Sequence, residues 1–390
     1  MILSLAIVFS AGLGAAQEKL RIGLVIEQTG AGASLGAYWI KAFELAVGEI
    51  NKGGGVLGRQ VEYEVFDNQS KAPVSVSATQ KALSWGAFAI AGPIYSGNTL
   101  ACMPVAQEAK TPQMTGSENW RITLQGNKYI WRMSTGQTLE IQKLLNWVMT
   151  ERKPKALGML YVNNDFGIGG LETAKKLLKE KYNTDLVMAA ACEQKQPDYS
   201  AELKKIKESN ADVVLLNLLE EESAMFYRHA KKVGLNVFLC AVNTGISVDA
   251  CRLGKEAVDG VYGTSGYEYS APEPGCQRLA KYYRERYGEW PDNEFMKGYN
   301  AVYLVKTGIE LAKSFDKEKF VEKMHNVHIT PKIQPNIVGG SLYYDENGEL
   351  HSWDYLAKVT WDGKEALAKA LFAIPPFKGP DSDKKTVVIK

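Results

Sequence analysis

Short apolar runs rich in β-branched residues alternate with helix-length amphipathic stretches along most of this chain. That alternation constrains the fold more than any other feature. Leu20 to Glu27 (LRIGLVIE) reads as a strand. Leu35 to Asn51 reads as a helix, with Ala37, Ile40, Phe43, Leu45, Ala46, Val47 and Ile50 mostly on one face, and Gly53-Gly54-Gly55 stops it. A strand at Val61–Phe66, a helix at Val74–Ser84, a buried strand at Ala87–Ala91, a helix at Leu100–Glu108 and a short strand near Gln113 and Met114 follow. The rhythm then restarts. Helices at Ile141–Thr150, Leu171–Lys181, Tyr199–Ser209 and Ser223–Val233 alternate with strands at Ala156–Val162, Leu186–Ala191, Val213–Leu218 and Val237–Ala241. Strands separated by helices of this length join through right-handed crossovers into parallel sheets. Two such series predict an α/β chain of two similar Rossmann-like lobes. Helices at Cys276–Tyr287 and Tyr299–Ala312 come next, then short strands between Gly340 and Trp361 around the turn Asp345-Glu346-Asn347-Gly348.

Charge narrows the function. Forty-six Lys and Arg against 44 Asp and Glu leave +2 over 390 residues, no footprint for nucleic acid or an anionic membrane. The first sixteen residues, MILSLAIVFSAGLGAA, carry no charge, fall short of the ~20 apolar residues of a membrane span, and end with Gly14 and Ala16 at the −3 and −1 positions of a cut. They read as a signal peptide cleaved near Ala16, although no Lys or Arg precedes the apolar run. The mature chain is then expected outside the cytoplasm, periplasmic or extracytoplasmic. Export permits disulfides, but Cys102, Cys192, Cys240, Cys251 and Cys276 are odd in number and their pairing is open. Four His without structural-zinc spacing give no metal site; His325 and His328 read as surface residues.

In open α/β sheets, ligands bind beyond the carboxyl ends of strands. After strand 87–91 comes Gly92-Pro93-Ile94-Tyr95-Ser96-Gly97, then a helix, and after the strand near 113–114 comes Thr115-Gly116-Ser117. Neighbouring strands would let Ser96 and Ser117 face one pocket and hold a carboxylate, helped by the helix N-terminus. Capping of two helices by Ser accounts for the same residues equally well. Gly30-Ala31-Gly32 with Gly36 lacks the G-x-G-x-x-G spacing, so no dinucleotide or other cofactor is expected. Glu220-Glu221-Glu222 reads as favourable charge at a helix start.

The segment from Ile22 to Ser70, with Thr29-Gly30 after the first strand and Glu49-Ile50-Asn51 before Gly53-Gly54-Gly55-Val56-Leu57-Gly58, resembles the Leu/Ile/Val-binding family of periplasmic substrate-binding proteins. GPIYSG and TGS are similar to that family's two ligand loops, Asn164-Asp165-Phe166-Gly167 to its loop in the other lobe, and Tyr343 to Gly348 to its late hairpin. The likeness runs from about Leu20 to Gly363. It implies a type I periplasmic binding fold: two lobes joined by three crossing segments, expected near Ser134, Tyr267 and Tyr344. Residues 17–134 with 268–344 would form one lobe and 135–267 with 345–378 the other, and 379–390 a loose tail.

The resemblance also implies a function: capture of a small carboxylate-bearing ligand between the lobes and delivery to the membrane permease of an ABC transporter, by a non-enzymatic and monomeric protein. Ser96 matches the family's carboxylate-binding serine, Thr115 and Gly116 match backbone contacts and Ser117 the second hydroxyl. Tyr95 adds to an apolar body. Phe166 stands where many members have Tyr, Leu219 near a second lost tyrosine, and Val242 and Asn243 near the family's acidic partner of the ligand ammonium. With neither of those charged, two ligands stay open: a branched-chain or related amino acid, or an aromatic or short organic acid without an ammonium group. Glu294 is an open candidate for the lost charge and Glu27 is expected at the solvated rim. A rival from another class is an exported amidase or esterase using Ser96 or a Cys, for which no general base stands at a lobe-facing loop. A receptor's sensor domain is a third.

Overall fold

The computed structural model describes residues 18–389; the expected signal peptide lies outside the described residues. The first lobe builds from β1 (Leu20–Ile26), α1 (Ala33–Lys52), β2 (Val61–Asp67), α2 (Ala72–Ser84), β3 (Ala89–Ala91), α3 (Ser96–Glu108), β4 (Gln113–Thr115) and β5 (Ile130–Arg132). These strands form a parallel sheet of order β2-β1-β3-β4-β5. The chain then enters the second lobe through α4 (Gln137–Trp147), β6 (Leu157–Val162), α5 (Asp165–Tyr182), β7 (Met188–Cys192), α6 (Ser200–Glu208), β8 (Val213–Asn217), α7 (Glu220–Lys232), β9 (Phe238–Ala241), α8 (Val248–Gly254) and β10 (Tyr262–Ser265). It returns to the first lobe with α9 (Pro274–Tyr287), α10 (Asn293–Ala312), α11 (Lys317–Met324) and the strands β11 (Val327–Ile329), β12 (Leu342–Tyr344) and β13 (Leu350–Ser352). Last come β14 (Asp354–Trp361), β15 (Ala366–Ile374) and β16 (Val387–Val388). They complete the second sheet, of order β16-β15-β14-β10-β9-β8-β6-β7.

Each lobe has its own core. Trp39, Phe43, Trp131, Tyr283, Phe295 and Tyr299 are fully buried in the first. Leu160, Leu215, Phe226, Tyr227, Leu356 and Val359 fill the second. The α1–β1 contact is close enough that a Cβ on Gly36 would stand 2.1 Å from the Glu27 carbonyl oxygen. Helix–strand packing thus accounts for that glycine.

The chain crosses between lobes after β5, after β10 and at Trp353. The third crossing had been expected near Tyr344. The chain instead stays with the first lobe through β13, which pairs with β12 and buries Leu350 in the first core. The expected loose tail also differs: Val387 pairs with Ala373, and Asp381 accepts the Trp353 indole N–H at 3.0 Å. Sequence periodicity missed the three-residue β5 and β11, and β10, α8, α11, β15 and β16, whose patterns are short or uneven. The five cysteines are buried and unpaired. Among the described residues no helix is long and apolar enough to cross a membrane.

Topology fixes where a site can form. In the first sheet the connections run outward to opposite sides from β1 and β3, and in the second from β6 and β8. A crevice opens beyond the carboxyl ends at each such switch point. The loops that flank the two crevices are 27–32, 92–95, 163–164 and 218–219, and they face one another across the cleft.

Candidate functional site

A narrow cavity of about 30 Å³ lies between the lobes. The first lobe supplies Leu35, Ile94, Tyr95, Ser96, Gly116, Glu118, Glu294 and Lys297, and the second supplies Phe166, Leu219, Glu220 and Thr244. Of the residues singled out from sequence, Tyr95, Ser96, Gly116, Phe166, Leu219 and Glu294 therefore meet in one place. Thr115, Ser117 and Asn243 do not line it.

Local hydrogen bonding explains the first-lobe pattern. Ser96 opens α3, and its Oγ accepts from the Asn119 backbone N–H at 3.3 Å. Ser117 turns inward instead, donating from Oγ to the Ile94 carbonyl at 2.6 Å, and the Thr115 hydroxyl donates to the Pro93 carbonyl at 2.9 Å. The hydroxyls expected to face one pocket are thus split: one lines the cavity and the other braces the loop that carries it. Glu27 is a clear departure from the expected rim position. It is fully buried and accepts from the Ile94 N–H at 3.0 Å, the Tyr95 N–H at 3.1 Å and the Asn98 side-chain amide at 2.8 Å. Burial raises its pKa and those three donors oppose the rise. Free amides just before a helix draw a carboxylate inward.

The floor of the cavity is charged. Lys297, on α10, is buried and donates to Glu118 at 2.8 Å and to Glu294 at 2.6 Å. The Trp39 indole N–H donates to the second oxygen of Glu294 at 2.7 Å. Burial disfavours the Lys297 ammonium, but the two carboxylates outweigh it and hold the proton more tightly than usual. Asn243 follows β9 and bridges the lobes: its side-chain amide donates to Glu118 at 2.8 Å and to Glu140 at 3.2 Å, and its backbone N–H to Glu140 at 2.6 Å. Burial, reinforced by Glu118, raises Glu140 well above the ordinary carboxyl range. Sequence reasoning missed Glu118, Glu140, Lys297, Trp39 and Thr244. Only the i, i+3 spacing of Glu294 and Lys297 was a signal, and that pattern also marks an exposed helix pair.

On the second lobe, Asn164 caps α5 by accepting from the Gly167 N–H at 3.0 Å, which places Phe166 in the first turn against the cavity. Leu219 and the three glutamates after it start α7, and their side chains part company. Glu222 accepts the Lys195 backbone N–H at 2.7 Å, Glu221 is exposed, and Glu220 turns into the cleft. Direct contacts hold the lobes together around this space. Val248 donates its N–H to Asp292 at 3.1 Å, and Trp120 and Arg121 donate to Glu172 at 3.1 and 3.2 Å.

Carboxyls near the crossings give a pH signature. Burial, with Asp249 and Glu294 beside it, pushes Asp292 up to about 7, and burial pushes Glu268 up to about 8. Their unfolded-state values are ~4, so the unfolded chain releases these protons first as pH rises. Stability from the pair is full below pH ~4 and is lost progressively up to pH ~8. Denaturation midpoints should fall between pH 5 and 8 by the equivalent of a few kcal/mol, and Asp292→Asn with Glu268→Gln should flatten the slope. Stability rising across that window would contradict this.

The family model described as periplasmic binding protein matches residues 19–364. The leucine-, isoleucine-, valine-, threonine- and alanine-binding protein of Pseudomonas aeruginosa is 24% identical over 359 residues, 90% of this chain and 92% of that protein. A branched-chain amino acid transporter substrate-binding protein, LivJ, from Streptococcus pneumoniae, solved with isoleucine, superposes with a TM-score of 0.79 at 22% identity, covering 92% of this chain and all of that one. A solute-binding protein of an ABC transporter from Rhodopseudomonas palustris, solved with 3,4-dihydroxybenzoic acid, gives 0.82 at 19% identity, covering 93% of this chain and 99% of that one. At these identities the two structures establish the shared fold.

Proposed function

The chain belongs to the periplasmic binding protein family, and we propose that it captures a small amino acid between its lobes and delivers it to the permease of an ABC transporter. The observation that carries this reading is the interlobe cavity, walled by Leu35, Ile94, Phe166 and Leu219 and lined by the polar groups of Ser96, Thr244, Glu220 and Glu294. Such a site takes an apolar body with a few oriented polar groups. Ligand docks on one lobe and hinge closure adds the other lobe's contacts. The ligand shifts open to closed only by its differential affinity for the two states. The mature protein would act outside the cytoplasm as a monomer, after cleavage near Ala16.

A second reading, an aromatic or short organic acid without an ammonium group, has the apolar walls in its favour. The three carboxylates lining the cavity favour a ligand that brings an ammonium over an acid without one, which would only add to their negative charge. For the hydrolase rival, Ser96 lacks a base: none of the four histidines lines the cavity.

The test is a thermal-shift screen on refolded, ligand-stripped protein with aliphatic, aromatic, polar and basic amino acids and with benzoate- and keto-acid-type carboxylates. A ligand at ~100 times its Kd adds ~2.7 kcal/mol, a readily measured rise in midpoint. A rise with amino acids is expected. No response from any compound would refute capture of a small molecule here, and steady turnover of an ester or amide would return the hydrolase.

A further inference from the structure

The charges around the cleft do not balance. The cavity opens outward between Ala31, Ser34 and Leu35 of the first lobe and the start of α7. Across the two spaces the acids are Glu118, Glu220, Glu221, Glu222, Glu294 and Asp249, and the bases are Lys195, Arg252 and Lys297. Two of the bases are committed and the third lies at the exposed mouth. Lys297 sits between Glu118 and Glu294, Arg252 reaches Asp249 at 3.0 Å, and Lys195 is exposed.

Glu220 is the sharpest case. It is 8% exposed and lines both spaces, and among the described residues its carboxylate is hydrogen-bonded only by its own backbone N–H. Burial first, and then Asp292, Glu294 and Asp249, raise its pKa well above the ordinary range. An unsatisfied acceptor lies deeper: Glu118 is 4% exposed and its Oε2 has no hydrogen-bonding partner. A buried carboxylate oxygen without a donor is unfavourable, so the free Oε2 of Glu118 and a Glu220 carboxylate bonded by its own amide alone both favour a cationic donor from outside the chain.

The opposite end of the cleft is no seat for surplus negative charge either. The amides that precede α3 already hold the Glu27 carboxylate. Asp165, from the other lobe, lies against Gly97 so closely that a Cβ there would stand 2.7 Å from its Oδ2.

We propose that this cleft selects a ligand of net positive charge, a basic amino acid whose cationic head is received by Glu220. This rests on the capture reading above and specifies its ligand class. Phe166, Leu219 and Leu35 line the space for the methylene chain. The cationic group gives Glu220 donors from outside the chain, and its charge offsets the mutual repulsion of Glu220, Glu294, Asp249 and Asp292.

The test is titration calorimetry on refolded full-length mature protein with arginine and lysine, set against leucine and benzoate. A cationic compound should bind at least 100-fold tighter than leucine, with benzoate weakest. Glu220→Gln should lower that affinity at least tenfold while the unliganded denaturation midpoint stays level or rises, since an unpaired buried acid is removed. Glu220→Asp, which keeps the charge, should retain the preference for cations. Leucine binding tighter than every cation, or undiminished cation affinity in Glu220→Gln, would overturn the proposal and leave small-molecule capture standing. Binding of none of the four, nor of any compound in the wider screen, would overturn both.

Discussion

Replacing Lys297 with methionine is expected to remove about 3–5 kcal/mol of stability at neutral pH, because it strands two buried carboxylates. Lys297 is the only cation lining the inner cavity among the described residues, and Glu118 and Glu294 both bond to it. Its removal leaves Glu118 with the side chains of Asn243 and Ser134, and Glu294 with the Trp39 indole. The remaining charges face each other across the space the ammonium had filled. Removing one partner of a buried ion pair is far more damaging than removing the whole pair. The triple change Lys297→Met, Glu118→Gln, Glu294→Gln should therefore recover most of the loss.

Acidification should discriminate this account from simple loss of packing. In Lys297→Met the stranded carboxyls would hold protons in the folded state at a pH where the unfolded chain has released them. Stability is then present at low pH and lost as pH rises through the folded-state values. The deficit relative to the parent should shrink as the pH is lowered towards 5, measured by urea denaturation. A loss under about 1 kcal/mol at pH 7, well below the range for a broken buried pair, or one unchanged at pH 5, would mean that Lys297 only fills space.

The places where sequence reasoning succeeded and failed share a physical logic. Alternation of strands and helices is a local signal, repeated every turn or two, so both lobes were legible from it. The loops at strand ends were legible because topology puts ligands there, which brought Tyr95, Ser96, Gly116, Phe166 and Leu219 to one cavity. The charged floor was not legible, because its pairings are long-range. Lys297 meets Glu118 across 179 positions, and Asn243 meets Glu118 across 125. Glu27 shows a related limit. A charged residue at a strand end reads as solvated, and only the presence of three donors around it makes burial tolerable. The three consecutive glutamates at 220–222 show another. Helix-dipole reasoning treats them alike, yet only Glu220 reaches the inner cavity, while at its mouth Glu221 is exposed and Glu222 accepts a backbone amide.

Arg132→Met should bring a comparable loss, about 3–5 kcal/mol, together with weaker ligand binding, because Arg132 ties the site loop to the hinge. It ends β5 just before the first crossing and has no exposed side-chain surface. Its Nε lies 3.0 and 3.1 Å from the two oxygens of Glu349, on the β12–β13 turn that leads towards the third crossing. Its Nη1 donates to the Ser117 carbonyl, and its Nη2 donates to the Asn119 carbonyl and the Thr123 hydroxyl, each at 3.1 Å. One planar guanidinium thus satisfies two carbonyls of the segment that carries Gly116, Glu118 and Asn119, while Glu349 accepts the Gly136 N–H at 2.9 Å within the first crossing. Methionine has similar length and no donors. It would leave Glu349 without its charge partner and two buried carbonyls unpaired, each carbonyl worth about 1–3 kcal/mol. Arg132→Lys keeps the charge but not the fork, so it should recover only part of the loss. Ligand affinity should fall at least tenfold in Arg132→Met even where denaturation shows the protein still folded, because the loop that presents Glu118 is no longer fixed against the hinge. Full affinity in a folded Arg132→Met variant would show that the loop is held by the braces from Ser117 and Thr115 alone.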